Sequence, residues 1–144
     1  MLFRSEFELV AGALSSTPEK ARRSGAALGL APERSYDSYE QMAAAEAARD
    51  DGIEAVVIVT PNHVHAPAAK AFLKAGIHVI CDKPLAFNLK EAKALERLLA
   101  SKKRVIFALT HNYAGYPMVR QAKAMVAAGE LGEDRKSTRL NSSH

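Results

Sequence analysis

Two hydrophobic patterns alternate along this chain. Short apolar runs rich in β-branched residues predict buried strands at 7–14, 54–59, 77–81 and 104–109. The segments between these runs have the spacing and the end signals of helices. Strands this apolar are typical of a parallel sheet that helices cover.

Capping signals predict where the helices begin and end. A polar residue that can cap a helix start is followed by a helical segment, and a glycine often stands just past its end. The predicted helices lie between Thr17 and Gly29, Ser38 and Gly52, Asn62 and Gly76, Asn88 and about Ala100, and Tyr116 and Gly129. Strands and helices that alternate over short links predict right-handed crossovers and an α/β fold with a doubly wound parallel sheet.

Polar residues follow each predicted strand directly. The four clusters are Ser15-Ser16, Thr60-Pro61-Asn62, Asp82-Lys83-Pro84 and Thr110-His111-Asn112. Ligands of an open α/β sheet bind beyond the carboxyl ends of its strands, so we expect these clusters to line one site. Strand-to-helix loops are often polar anyway, and the pattern alone leaves that alternative open.

Two of these clusters form motifs in register. Thr60-Pro61-Asn62 has His65 three residues on, and Asp82-Lys83-Pro84 follows one strand–helix unit later. With these motifs the chain resembles, over 7–133, the cofactor-binding half of the glucose–fructose oxidoreductase, inositol dehydrogenase and MocA family. The resemblance implies a partial Rossmann-type domain over 1–133. The family's first strand, its G-x-G-x-x-G turn and its C-terminal substrate domain have no counterpart in this sequence.

The resemblance also implies a function. Family members transfer hydride between NAD or NADP and a hydroxyl carbon of a sugar, a polyol or a similar small molecule. Lys83 is the expected catalytic residue, because the family uses this lysine to hold the substrate and relay its hydroxyl proton. A solvated loop lysine is the alternative for Lys83. A catalytically silent, dinucleotide-binding regulator is the alternative for the whole protein.

Further residues are expected to contact the cofactor. By resemblance these are Thr60, Pro61, Asn62, His65, Asp82, Lys83, His111 and Asn112. His65 is expected near the nicotinamide ribose, with a surface histidine as the alternative. Asp82 stands where glutamate is commoner, and it accepts from a ribose hydroxyl or pairs with Lys83. Cys81 is expected to be a small buried residue and not a nucleophile.

The end of the first predicted strand bears on cofactor choice. NAD-preferring enzymes often carry an acid there for the ribose hydroxyls, whereas this chain has Ser15 and Ser16. Arg22 and Arg23 follow nearby, and this combination slightly favours NADP over NAD. The alternative is that these bases form an ordinary solvated helix face.

The net charge of +4 would suit a nucleic-acid partner, but part of it comes from the last eleven residues. Residues 134–144 (DRKSTRLNSSH) match one reading frame of a common sequencing adapter, and we expect a disordered tail; a natural polar tail is the alternative. They hold three of the 20 basic and one of the 16 acidic residues, so the remainder carries +2. We therefore expect no nucleic-acid partner.

Cysteine usage and apolar run lengths bear on location. A single cysteine excludes an internal disulfide framework, and the longest apolar runs are far shorter than the roughly 20 residues of a membrane span. We expect a cytoplasmic protein with no membrane contact. An N-terminal export signal that this sequence lacks is the alternative. No metal site is expected, because the histidines lack acidic or cysteine partners at ligand spacing. The resemblance implies a homo-oligomer assembled through the C-terminal domain.

Overall fold

A computed structural model describes residues 7–133, and the predicted tail at 134–144 lies outside the described residues. The chain divides into two units at Thr110, which are described separately. Strands and helices of the first unit are α1 Pro18–Ala27, α2 Tyr39–Ala47, β1 Ala55–Ile58, α3 Asn62–Ala75, β2 His78–Asp82, α4 Leu89–Ala100 and β3 Phe107–Thr110. The second unit holds α5 Pro117–Ala127. None of the helices within 7–133 is long and apolar enough to cross a membrane.

The strands form one parallel sheet in the order β1-β2-β3. Val57 pairs with Ile80, which pairs with Ala108 on its other side. Because both crossovers advance across the sheet in the same direction, right-handed connections place α3 and α4 on one face. Three of the four predicted strands are confirmed, with bounds that move by at most three residues.

The strand predicted at 7–14 is wrong. Gly12 makes one isolated parallel bridge to Ser35, in which Gly12 N–H donates to the Arg34 carbonyl and the Gly12 carbonyl accepts from Tyr36 N–H. A strand needs a partner for its backbone groups along its whole length. Among residues 7–133 the backbone of this segment pairs only with the short stretch after the 3₁₀ turn Pro32–Arg34, and Phe7 and Leu9 are exposed.

Four of the predicted caps can be checked in the structure. Thr17 holds the cap position of α1, but its side chain makes no capping hydrogen bond. Ser38 accepts from Gln41 N–H at 3.2 Å and Asn88 accepts from Glu91 N–H at 3.0 Å, as predicted. The prediction that Asn62 caps α3 is wrong, because Pro61 holds the cap position and Asn62 is the first helical residue. The Asn62 side chain is therefore not needed to begin the helix.

The core lies between one face of the sheet and α3. Phe72 and Leu73 on α3 are 1% and 0% exposed, and alanines beside them let the helix backbone approach the sheet closely. Val79 on β2 is 1% exposed and belongs to the same hydrophobic core. The helix ends at Gly76, whose φ of 85° lies in the left-handed region that favours glycine.

The opposite face of the sheet is apolar and exposed. Val57, Val59 and Ile106 are 61%, 74% and 65% exposed. An exposed apolar patch of this kind lowers solubility.

A buried ion pair holds α2 against the segment that follows α1. The Glu46 carboxylate accepts from Arg34 Nε at 3.1 Å and from Arg34 Nη2, from Tyr36 Oη at 2.7 Å and from Ile53 N–H at 3.1 Å. Burial by itself raises the pKa of Glu46, but the hydrogen bonds from Arg34 and Tyr36 outweigh it and leave the pKa below its ordinary value. Four donors thus hold one carboxylate in its ionised form.

Candidate functional site

The carboxyl ends of the strands bring the Thr60 cluster, the Asp82 cluster and Thr110 to one edge of the sheet. Ile58 pairs with Cys81, and Asp82 pairs with Thr110, so the chain leaves β1 and β2 on the same side. Thr60 and Lys83 therefore lie at the same edge, as the predicted topology requires. Both residues are exposed.

His65 connects two of these clusters. It lies in the first turn of α3 and is 1% exposed, so the alternative of a surface histidine is wrong. Its Nδ1 is 2.7 Å from the Pro84 carbonyl oxygen, and its Nε2 is 2.8 Å from the Thr60 carbonyl oxygen. Both ring nitrogens are occupied by backbone carbonyls, and contact with a ribose stays a prediction.

Asp82 is held from two directions. Its Oδ1 accepts from Thr110 Oγ1 at 2.8 Å and from Lys83 N–H at 2.8 Å. These two hydrogen bonds, in that order, lower the pKa of Asp82 and keep it ionised. Asp82 therefore contacts Lys83 through the backbone amide, and it contacts no Lys83 ammonium.

Thr110 belongs to a polar cluster that was expected to line the site, but no role was predicted for its hydroxyl, which orients Asp82. Thr110 ends β3 and Asp82 ends the neighbouring β2 in the paired register position. Side chains of directly paired residues lie on the same face of a sheet. The two predicted strands end directly before Asp82 and Thr110, and aligning these ends would have predicted the contact between the two side chains.

Lys83 and Cys81 are neighbours with opposite environments. Lys83 is exposed and precedes a cis peptide bond to Pro84. Cys81 is 0% exposed, and burial, with the charge of Asp82, raises the pKa of its thiol to about 11. The thiol therefore stays protonated at neutral pH, as expected for a small buried residue.

The residues that the sequence connects with cofactor choice lie just before α1 (Ser15, Ser16) and in the middle of that helix (Arg22, Arg23). Ser15 Oγ accepts from Thr17 N–H at 3.2 Å. Arg22 donates to both carboxylate oxygens of Asp37, at 3.1 and 3.2 Å, in an exposed ion pair. Ser16 and Arg23 are exposed. A role for these residues in binding a 2′-phosphate stays a prediction.

His111 and Asn112 belong to the second unit. Asn112 begins a short 3₁₀ turn and its Nδ2 donates to Tyr116 Oη at 3.4 Å. Their predicted contact with a cofactor stays a prediction. Within 7–133, no group of three or more histidine, cysteine, aspartate or glutamate side chains is arranged to hold a metal ion.

The residues at the edge fit the nicotinamide half of a dinucleotide. Exposed Thr60, Asn62 and Lys83 provide a hydroxyl, an amide and a cation, and Asp82 adds an ionised carboxylate that suits ribose hydroxyls. The pyrophosphate half requires backbone N–H groups from a glycine-rich turn at a helix start. The sequence contains no G-x-G-x-x-G.

A parallel α/β sheet with polar turns at its carboxyl edge is the arrangement of a Rossmann-type nucleotide-binding domain. The model of the oxidoreductase family with an NAD-binding Rossmann fold (GFO/IDH/MocA) matches residues 2–111. The chain belongs to this family, and its resemblance to the family is confirmed. The matched region is an NAD(P)-binding domain.

Two relatives show how far the similarity extends. The uncharacterized oxidoreductase YfiI of Bacillus subtilis is 43% identical over 90% of this chain and 33% of its own length. Levoglucosan dehydrogenase of Pseudarthrobacter phenanthrenivorans is 40% identical over 58% of this chain and 21% of its own.

Solved structures agree with these relatives. An oxidoreductase from Sinorhizobium meliloti is 60% identical with a TM-score of 0.79, over 90% of this chain and 36% of that one. An inositol dehydrogenase homolog from Azotobacter vinelandii, complexed with NADH and myo-inositol, is 46% identical with a TM-score of 0.80. The match covers 90% of this chain and 34% of that one. This chain spans about a third of the length of these proteins.

Proposed function

We propose that this chain is the cofactor-binding part, over residues 1–133, of a dehydrogenase that transfers hydride between NAD(P) and a hydroxyl carbon of a sugar or polyol. The observation that carries the proposal is the position of Lys83, exposed at the sheet edge next to an ionised carboxylate and beside the Thr60 turn. Relatives named as levoglucosan and D-xylose dehydrogenases favour an enzyme over a silent regulator.

The chain's own residues have distinct tasks in this chemistry. NAD(P), when bound, supplies or accepts the hydride. Lys83 Nζ hydrogen-bonds the substrate hydroxyl oxygen, helps to relay the hydroxyl proton away from it and stabilises the negative charge that develops on the oxygen. Asp82 Oδ1 accepts a hydrogen bond from Lys83 N–H at 2.8 Å and so holds the backbone of Lys83, and Thr110 orients Asp82. Thr60, Pro61 and Asn62 line the nicotinamide side.

The remaining properties of the dehydrogenase follow from its sequence and family. NADP is slightly favoured over NAD because Ser15 replaces the usual acid, and both cofactors occur among relatives, one named for NADP(+) and one solved with NADH. We place the enzyme in the cytoplasm as a homo-oligomer that assembles through a C-terminal substrate domain. Its partners are small-molecule substrates, without nucleic acid or membrane.

Replacing Lys83 in the full-length enzyme tests the proposal. A positioned acid–base group supplies about 10²–10⁴-fold, so Lys83→Ala is expected to reduce kcat by roughly that factor. Dinucleotide affinity is expected to change little, because the lost contact is made mainly in the transition state. Polyols and aldoses are assayed with NAD and NADP by absorbance of the reduced cofactor, and dinucleotide Kd is measured by fluorescence.

Lys74→Ala is the matched control, because Lys74 is an exposed lysine in the last turn of α3, which leads to the opposite end of β2 from Lys83. We expect it to keep full turnover. The chain of 144 residues, assayed alone, is expected to show none, since it lacks the pyrophosphate turn. Near-normal turnover of Lys83→Ala would contradict the role of Lys83. A full-length protein that binds dinucleotide but oxidises none of these substrates would favour the regulator.

A further inference from the structure

The contacts of His65 are chemically unusual. Both ring nitrogens lie within hydrogen-bond distance of backbone carbonyl oxygens, Nδ1 at 2.7 Å from Pro84 and Nε2 at 2.8 Å from Thr60. A carbonyl oxygen only accepts hydrogen bonds, so each contact requires an N–H on the ring. A neutral imidazole carries one N–H, whereas an imidazolium carries two. The geometry therefore matches the cationic ring.

A neutral His65 ring would lose a hydrogen bond at this position. In the neutral ring one nitrogen would direct its lone pair at a carbonyl oxygen in a site that is 1% exposed, where water cannot replace the lost hydrogen bond. The end of β2 and the turn after it hold the charged groups Asp82 and Lys83. Asp82 is ionised there, because the hydrogen bonds from Thr110 and from Lys83 N–H lower its pKa. Lys83 is exposed, and the thiol of Cys81 is uncharged.

The two carbonyls belong to the two turns of the candidate site. Thr60 begins the turn after β1, and Pro84 directly follows Lys83 after β2. From these contacts we infer that His65 is a positioning residue: its imidazolium ties the Thr60 turn to the Lys83-Pro84 turn and so sets the place of Lys83. The inference rests on the proposed function only for its effect on turnover, because the state of the ring is independent of activity.

Nuclear magnetic resonance on the chain tests the state of the ring directly. With ¹⁵N-labelled histidine at neutral pH, the His65 ring is expected to show two protonated nitrogens. The spectrum of a His65→Phe variant identifies the signal by its absence, and the remaining histidines provide the reference. If that variant does not fold, His65→Gln takes its place. A ring with a single protonated nitrogen would overturn the inference.

A double-mutant cycle in the full-length enzyme tests the effect on Lys83. Misplacement of a catalytic group by about 1 Å can cost about 10²-fold, so His65→Phe is expected to lower kcat by about 10–10²-fold. In a Lys83→Ala background the same change is expected to have little further effect, because His65 acts through Lys83. A purely structural role would lower turnover by the same factor in both backgrounds, and that result would also overturn the inference.

His63→Phe is the matched control, since His63 is an exposed histidine in the same helical turn. We expect it to keep wild-type turnover. The two proposals fail in different ways. An inactive wild-type enzyme contradicts the proposed function, whereas the ring signals still decide the state of His65. An active enzyme with equal effects of His65→Phe in both backgrounds contradicts the inference alone.

Discussion

Removing the Glu46 carboxylate is expected to destabilise the first unit strongly. Glu46→Ala leaves the Arg34 guanidinium, whose side chain is 10% exposed, without its buried partner. It also removes the acceptor of Tyr36 Oη and Ile53 N–H. Breaking a buried ion pair from one side costs about 3–5 kcal/mol, because the remaining charge stays buried, and here only the exposed carboxylate of Asp51, 3.5 Å from Arg34 Nη1, still compensates it in part. We expect a loss of that size in the free energy of unfolding.

Urea unfolding of the chain, followed by far-ultraviolet circular dichroism, measures this loss. Asp51→Asn is the control, because the Asp51 side chain is 66% exposed and lies 3.5 Å from Arg34 Nη1. An exposed ion pair contributes at most about 1 kcal/mol, so the control should remain near the wild-type value. A Glu46→Ala variant that loses no more than Asp51→Asn would refute the reasoning. If Glu46→Ala does not fold, Glu46→Gln gives the same comparison.

The same carboxylate makes stability depend on pH. The folded state holds the pKa of Glu46 below its ordinary value, because the Arg34 and Tyr36 hydrogen bonds outweigh the effect of burial. The contribution of Glu46 is therefore complete above the unfolded pKa of about 4.3 and is lost as the pH falls through the folded pKa. The difference in unfolding free energy between wild type and Glu46→Gln should shrink in that acidic range. A difference that stays constant there would contradict the assignment.

Two further predictions concern cofactor choice and solubility. In the full-length enzyme, Ser15→Asp should shift the kcat/KM ratio from NADP toward NAD, because a carboxylate repels a 2′-phosphate and accepts from ribose hydroxyls; a wild-type enzyme strongly selective for NAD would contradict this. Replacing exposed Val57 and Val59 by threonine should raise the solubility limit of the chain with little change in its unfolding free energy. Light scattering checks the second prediction, and an unchanged limit would contradict it.

Local sequence was sufficient for much of the fold. The apolar runs at 54–59, 77–81 and 104–109 predicted β1, β2 and β3, because short β-branched runs suit few other buried structures. Ser38 and Asn88 cap their helices as predicted, since a capping bond joins residues only three apart. The strand ends also indicated which turns share an edge of the sheet.

Other features depended on partners distant along the chain. The run at 7–14 has the composition of a strand, yet only a neighbouring strand can satisfy its backbone hydrogen bonds. The bridge between Gly12 and Ser35 pairs a single residue of this run. Thr110 meets Asp82 across 28 positions, and His65 reaches Pro84 across 19. Hydrogen bonds over such separations are set by strand register and helix packing, because local propensity contains no information on which distant groups will meet. The orientation of the candidate site was therefore decided by the tertiary structure.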